Sequence, residues 1–169
     1  MNRADVNWRI AVVAVAVFAL DQLTKLAVRH FMEFHDRVVV IDGFLDFVHL
    51  GNTGAALSMF QGKNTPLAVV ALIALVLLVL TRHHFDVHIF LGQLSLGLIL
   101  GGILGNLTDR VRVGHVIDFL YFYVICSDDS KAAFPAFNVA DTAICTGVGL
   151  LFLMSLRNGS EEEVASAEK

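Results

Sequence analysis

Residues 66–80 consist almost entirely of Leu, Val, Ala and Ile and carry no charge. Three more stretches are long and mostly apolar: 8–28, whose second half carries Asp21 and Lys25; 88–107, without Asp, Glu, Lys or Arg; and 137–156, whose only charge is Asp141. A helix rises about 1.5 Å per residue, so about 20 apolar residues cross a hydrocarbon core roughly 30 Å thick. Four such runs in 169 residues leave little chain for a separate soluble core. The composition agrees: 56% of residues are hydrophobic and 17% charged, with mean hydropathy +0.70. Soluble domains sit nearer roughly 45–50% apolar and 25% charged. The pattern predicts an all-α integral membrane protein with four transmembrane helices.

Run 8–28 begins like a signal peptide, but no small-residue cleavage site is evident, and Asp21 and Lys25 interrupt its end. It reads as a retained helix. Residues 1–157 then form a single transmembrane domain, and the acidic segment 158–169 reads as a disordered tail. Four spans place both termini on one side. Lys and Arg divide five to six between the sides, so orientation rests on the short N-terminus, where Arg3 and Arg9 favour the inside. Between spans, residues 37–50 are β-branched and aromatic around Asp42-Gly43, a hairpin signal, and 115–125 are similar. Both connections fall on one face, so a small extramembrane β-sheet is expected there, on the outer side. Gly97, Gly101 and Gly105 recur every four residues and make a smooth helix face, for packing within the bundle or in a dimer.

Ionisable groups inside a membrane cost roughly 2.5–3.5 kcal/mol each on insertion scales and tend to be functional. Asp21 and Lys25 share a helix face and either neutralise each other or support a site. Asn106, Asp109 and Arg110 follow the glycine face, and Asp118 comes shortly after. Asn138 suits a helix N-cap, and Asp141 either favours the helix dipole or does chemistry. Asp118 and Asp141 arrive from different segments at one membrane face. If they meet, they share one proton, one acting as base on water and the other as acid. That suits peptide hydrolysis without metal, cofactor or covalent intermediate.

Other chemistries find less support. There is no HExxH, and the stretch Gly92 to Gly97 is one residue too long for a nucleophile elbow. His83, His84 and His88 lie on the opposite face from the carboxylates, and Cys126 and Cys145 offer neither metal spacing nor a disulfide. A net charge of −4 gives no field for nucleic acid. A proton channel or transporter would also use intramembrane carboxylates, although four spans without a repeat argue against alternating access. A scaffold would leave the converging acids unexplained, and the Gly-x-Gly-Asp signature of presenilin-type proteases is absent.

Five blocks, Asp21-Gln-Leu-Thr-Lys25, Asn52-Thr-Gly-Ala-Ala56, Gly105-Asn-Leu-Thr-Asp-Arg110, Gly114-His-Val-Ile-Asp-Phe119 and Phe134-Pro-Ala-Phe-Asn-Val-Ala-Asp141, together resemble the lipoprotein signal peptidases, the type II signal peptidases of bacteria. The resemblance implies an aspartic endopeptidase of the inner membrane with cytoplasmic termini and a site near the outer, periplasmic surface. It implies cleavage of diacylglyceryl-modified prolipoproteins just before the lipidated cysteine, and sensitivity to globomycin-type inhibitors. By motif position Asp118 and Asp141 are its catalytic dyad. Asn52, Gly54, Asn106, Arg110 and Asn138 would bind substrate, with Asn52 and Arg110 on its backbone. Asp21, Lys25 and Asp109 would support the site, and membrane lipid would surround it. Gly51, Leu57, Thr108 and the segment 126–133 depart from the family pattern and are expected to affect loop shape, leaving the dyad untouched.

Overall fold

The computed structural model describes residues 3–54, 62–126 and 130–167. Helices α1 (Arg3–Phe31), α2 (Asn64–Thr81), α3 (Phe90–Arg112) and α4 (Val139–Ala167) each contain a segment long and apolar enough to cross a membrane. These segments are Val6–Phe31, Asn64–Thr81, Phe90–Arg112 and Val139–Arg157. They coincide with the four expected spans, with ends that move by a few residues. The largest extension is at α3, which continues past 107 to Arg112 and so carries Asn106, Asp109 and Arg110 on helix. Helix α4 runs to Ala167, so helix reaches into the acidic segment whose composition suggests disorder. Glu161, Glu162, Glu163, Ala165 and Ala167 in that segment are favourable helix formers.

Helix α3 is the centre of the bundle. It packs along α1 and α4 and more lightly against α2, which has no buried residue of its own. Apolar side chains elsewhere point outward, among them Leu23, Val70, Leu80 and Phe152. This is the expected arrangement where lipid is the solvent: Leu gains little by leaving it, and close backbone packing holds the helices instead. Gly97 lies against Val13 and the Ile10 carbonyl, and Gly101 against Val17 and the Ala14 carbonyl. Gly102 abuts the Ala140 carbonyl, and Gly105 sits between Asp21 and Ala140. The glycine face is thus used within the bundle, by α1 and α4. One end of the bundle has an ordinary apolar core of Val6, Ile10 and Leu96. The other end buries Asp21, Lys25, Asp109 and Asn138.

Over that polar end lies one antiparallel sheet of β1 (Arg37–Ile41), β2 (Leu45–Asn52), β3 (Val116–Ile125) and β4 (Lys131–Ala133), in that order. The expected hairpin is present, with Gly43 at φ +75° in its turn. Strand β2 pairs with β3 in the register Leu50 to Asp118 and Asn52 to Val116. The two interhelical connections therefore form a single sheet. The short β4 was not expected, because Lys-Ala-Ala has weak strand preference. Its pairing with Tyr123–Ile125 of β3 holds it in place. Within the sheet the fully buried Asp46 carboxylate is met by the Arg37 guanidinium and the Tyr123 hydroxyl.

Candidate active site

Asp118 reaches its position through a tight reversal. Helix α3 ends where the Val113 and Gly114 N–H groups both donate to the Asp109 carbonyl, at 2.7 and 3.3 Å. Gly114 has φ +84°, a left-handed conformation that favours glycine and turns the chain straight into β3. Asp118 follows as the third residue of that strand and is 3% exposed.

Asp141 is fixed by the start of α4. Phe137 pairs with Leu120 of β3, donating at 3.0 Å and accepting at 2.8 Å, which anchors the helix entry beside Asp118. Asn138 caps the helix: its Oδ1 accepts from the Asp141 N–H at 2.9 Å. Asp141 answers by accepting from the Asn138 N–H at 3.3 Å. This is a reciprocal capping box, with Asp in place of the usual Glu. The contacts that cap the helix also set Asp141 in the cavity wall.

Amides connect the carboxylates. Asp118 accepts from Asn52 Nδ2 at 3.0 Å and from Asn138 Nδ2 at 2.8 Å. Asp141 accepts from Asn106 Nδ2 at 2.7 Å. The Asn106 oxygen in turn accepts from Asn138 at 3.2 Å and from Lys25 Nζ at 2.9 Å. Lys25 is 2% exposed and also pairs with Asp21 at 2.9 Å and Asp109 at 2.8 Å. Asp21 and Lys25 do pair with each other, and Lys25 also bonds Asn106 of the cavity wall. Asp21 accepts from the Ala140 N–H of α4 at 2.9 Å, and Asp109 from the Ile117 N–H of β3 at 3.2 Å. The buried charges are thus surrounded by donors, as burial requires.

Burial raises the Asp118 carboxyl most, and the nearby Asp141 charge adds to this, so that it is pushed up to about 7. Asp118, Asp141, Asn52, Gly54, Asn106 and Arg110 all line one cavity of about 570 Å³. Phe134, Ile144 and Cys145 supply apolar wall. Asn138 and Lys25 stand behind this lining and bond to it, and Asp21 and Asp109 pair with Lys25.

Arg110 is held by its own chain. Its guanidinium donates to the Gly54 carbonyl at 2.6 Å and to Asn64 Oδ1 at 3.3 Å. Asn64 returns a bond to the Arg110 carbonyl at 3.0 Å, and Asn52 Oδ1 accepts from the Gly54 N–H at 2.9 Å. Nothing in the sequence marks Asn64, which lies between a polar stretch and an apolar span. Gln22 was missed too, although it sits inside the first block. It donates to Asp21 at 3.2 Å and Asp109 at 3.0 Å and ties α1 to α3. His35 was the third omission. It lines the cavity with φ +72°, a backbone state that composition does not reveal.

Among the departures from the family pattern, Gly51 leaves room for the His115 ring, and Thr108 turns outward to bond the Leu104 carbonyl. Leu57 and 127–129 lie outside the described residues. Cys126 and Cys145 are free thiols, as expected.

Four membrane-crossing helices capped by a small sheet, with carboxylates and amides gathered around one cavity, define a multi-pass membrane protein with an open cleft lined by polar groups. A solved bacterial membrane enzyme has the same fold, with a TM-score of 0.72 at 33% identity, covering 90% of each chain. A second such structure matches at a TM-score of 0.72 and 34% identity, over 87% of this chain and 92% of that one. The family model described as signal peptidase (SPase) II matches residues 13–157. The lipoprotein signal peptidase of Syntrophotalea carbinolica is 37% identical over 155 residues, 89% of this chain and 92% of its own. That of Symbiobacterium thermophilum is 40% identical over 143 residues, covering 84% and 90%. This chain belongs to the signal peptidase II family and is a membrane peptidase.

Proposed function

We propose that the protein is an aspartic endopeptidase that removes signal peptides from diacylglyceryl-modified prolipoproteins, cutting just before the lipidated cysteine. The observation that carries this is the convergence of Asp118 and Asp141, from β3 and α4, on one cavity with shared amide partners. Their separate origins leave both carboxyls facing the space a peptide bond would occupy.

In this mechanism Asp118 enters protonated and Asp141 ionised. Asp141 takes a proton from a water as that water attacks the scissile carbonyl, and Asp118 donates to the carbonyl oxygen. As the gem-diol intermediate collapses and the C–N bond breaks, Asp141 passes its proton to the leaving amine and Asp118 takes one back from a gem-diol hydroxyl, which restores both carboxyls. Asn52 and Asn138 orient Asp118, while Asn106, held by Lys25, orients Asp141. Arg110 and Gly54 would meet the substrate backbone at the rim of the cavity. The acyl chains would leave along Phe134, Ile144 and Cys145 toward lipid. Lipid-exposed irregular backbone is not tolerated at depth, so an extended substrate is best cut at the helix–sheet boundary. Globomycin-type inhibitors would occupy the same cavity. We place the enzyme in the bacterial inner membrane with cytoplasmic termini and the sheet on the outer side.

The test is conversion of a lipidated precursor by Asp118→Asn and Asp141→Asn. Each should lower the rate by about 10²–10⁴ or more, the scale of a lost acid or base. Normal conversion by either variant removes the dyad. Equal cutting of lipidated and unlipidated precursors overturns the substrate while leaving the mechanism standing.

A further inference from the structure

A second cavity, of about 400 Å³, lies between α1 and α3 at the sheet end of the bundle. Lys25 and Asp109 form part of its wall, but neither dyad carboxylate lines it. Arg29 and Arg112 also line it, each in the last turn of its helix and exposed. Helix dipoles favour basic residues at such ends. They do not require two of them, from different helices, to border one cavity. The apolar wall includes Leu23 and Leu26, which are 64% and 62% exposed on a membrane-crossing helix. Their uncovered surface faces acyl chains in a bilayer.

The charges select the ligand. Asp21, Lys25 and Asp109 form a buried triad with one negative charge in excess. Arg29 and Arg112 outweigh it, leaving the region one positive charge. Neither arginine has a hydrogen-bond or ion-pair partner among the described residues. One phosphodiester monoanion would neutralise the region, and the guanidinium fork suits phosphate oxygens. A head group that sits where a span meets water, joined to chains that descend along Leu26 and Leu23, is a phospholipid.

We propose that this cavity is a binding site for one anionic phospholipid of the leaflet on the sheet side, with its phosphate between Arg29 and Arg112. Arg29 lies one helical turn beyond Lys25, which holds Asn106, so the lipid would border the supports of the proposed dyad without touching substrate.

The full-length protein, reconstituted with equal phosphatidylglycerol and phosphatidylcholine and released into native mass spectrometry, tests this. Wild type should retain one phosphatidylglycerol over phosphatidylcholine by about thirtyfold, the discrimination expected of two basic groups at a charged head group. Arg29→Gln/Arg112→Gln should lose that preference at unchanged melting temperature, and Arg9→Gln, toward the other end of α1, should keep it. A photoactivatable phosphatidylglycerol should label the α1 segment 19–26 in wild type, a readout that needs no variant. Equal retention of both lipids, labelling only elsewhere, or a preference that survives in the double variant overturns the proposal. Displacement of the lipid by millimolar inorganic phosphate would assign the site to free anions instead.

Discussion

Gly105 shows how much one missing methyl group can decide. A Cβ there would collide with Asp21 Oδ2 and crowd the Ala140 Cβ, so α1, α3 and α4 could not meet as they do. Gly105→Ala should destabilise by about 1–3 kcal/mol, the usual cost of overpacking, seen as a lower melting temperature in detergent. Gly149, on α4 with nothing near its Cβ position, should accept alanine without that loss. Asp118 makes a second prediction at this scale. Its carboxyl is raised to about 7 by burial and then by Asp141, from an ordinary value of 3.8. A raised acid stabilises the fold fully below the unfolded value and loses that contribution as pH rises toward the folded one. Wild type should therefore lose melting temperature between about pH 4 and 7 relative to Asp118→Asn, which cannot ionise. Peptidase activity should fall above about pH 7 as the acid loses its proton, on the alkaline limb of kcat/KM. A flat profile across pH 6–9 would remove Asp118 as the acid.

At the scale of elements, the N-terminus of α4 joins helix capping and the proposed chemistry on one side chain. Asn138 caps the helix through its oxygen and reaches Asp118 and Asn106 through its nitrogen. Asn138→Ala should lose both, including about 0.5–2 kcal/mol of cap stability. Asn138→Ser keeps an oxygen for the cap but has no amide nitrogen to span the carboxylates. It should recover the melting temperature of wild type while conversion stays impaired. Recovery of both together would show that only capping matters. The helices themselves were legible in the apolar runs, and the β1–β2 hairpin in Asp42-Gly43 between β-branched runs. β4 was hidden because Lys131, Ala132 and Ala133 acquire strand structure only by pairing with β3. The extension of α3 to Arg112 was partly visible, in the spacing of Asn106, Asp109 and Arg110.

Across the whole molecule, the buried ion cluster holds together elements far apart in sequence. Lys25 of α1 pairs with Asp109 of α3, and Asp21 accepts from α4. Removing one partner of a buried network strands the others, at about 3–5 kcal/mol. Lys25→Met should therefore lower the melting temperature sharply and impair conversion, since Asn106 loses one of its two donors. Adding Asp109→Asn should restore part of the stability by removing one stranded charge, and failure to do so would argue against a shared cluster. The amino-acid sequence by itself determined the membrane class, the four spans, the hairpin, and which polar residues lie at energetically costly positions, because hydropathy, turn chemistry and intramembrane charge are local properties. Only the tertiary structure decided that Asn138 links Asp118 to Asn106, that Arg110 is held by Gly54 and Asn64, and that Gln22 and His35 belong near the site. These depend on the β2–β3 register and on how closely α1 and α4 approach α3. Asp118 and Asp141 span both cases: their residue type marked them in the sequence, and their meeting at one cavity required the reversal at Gly114 and the anchoring of Phe137 on β3.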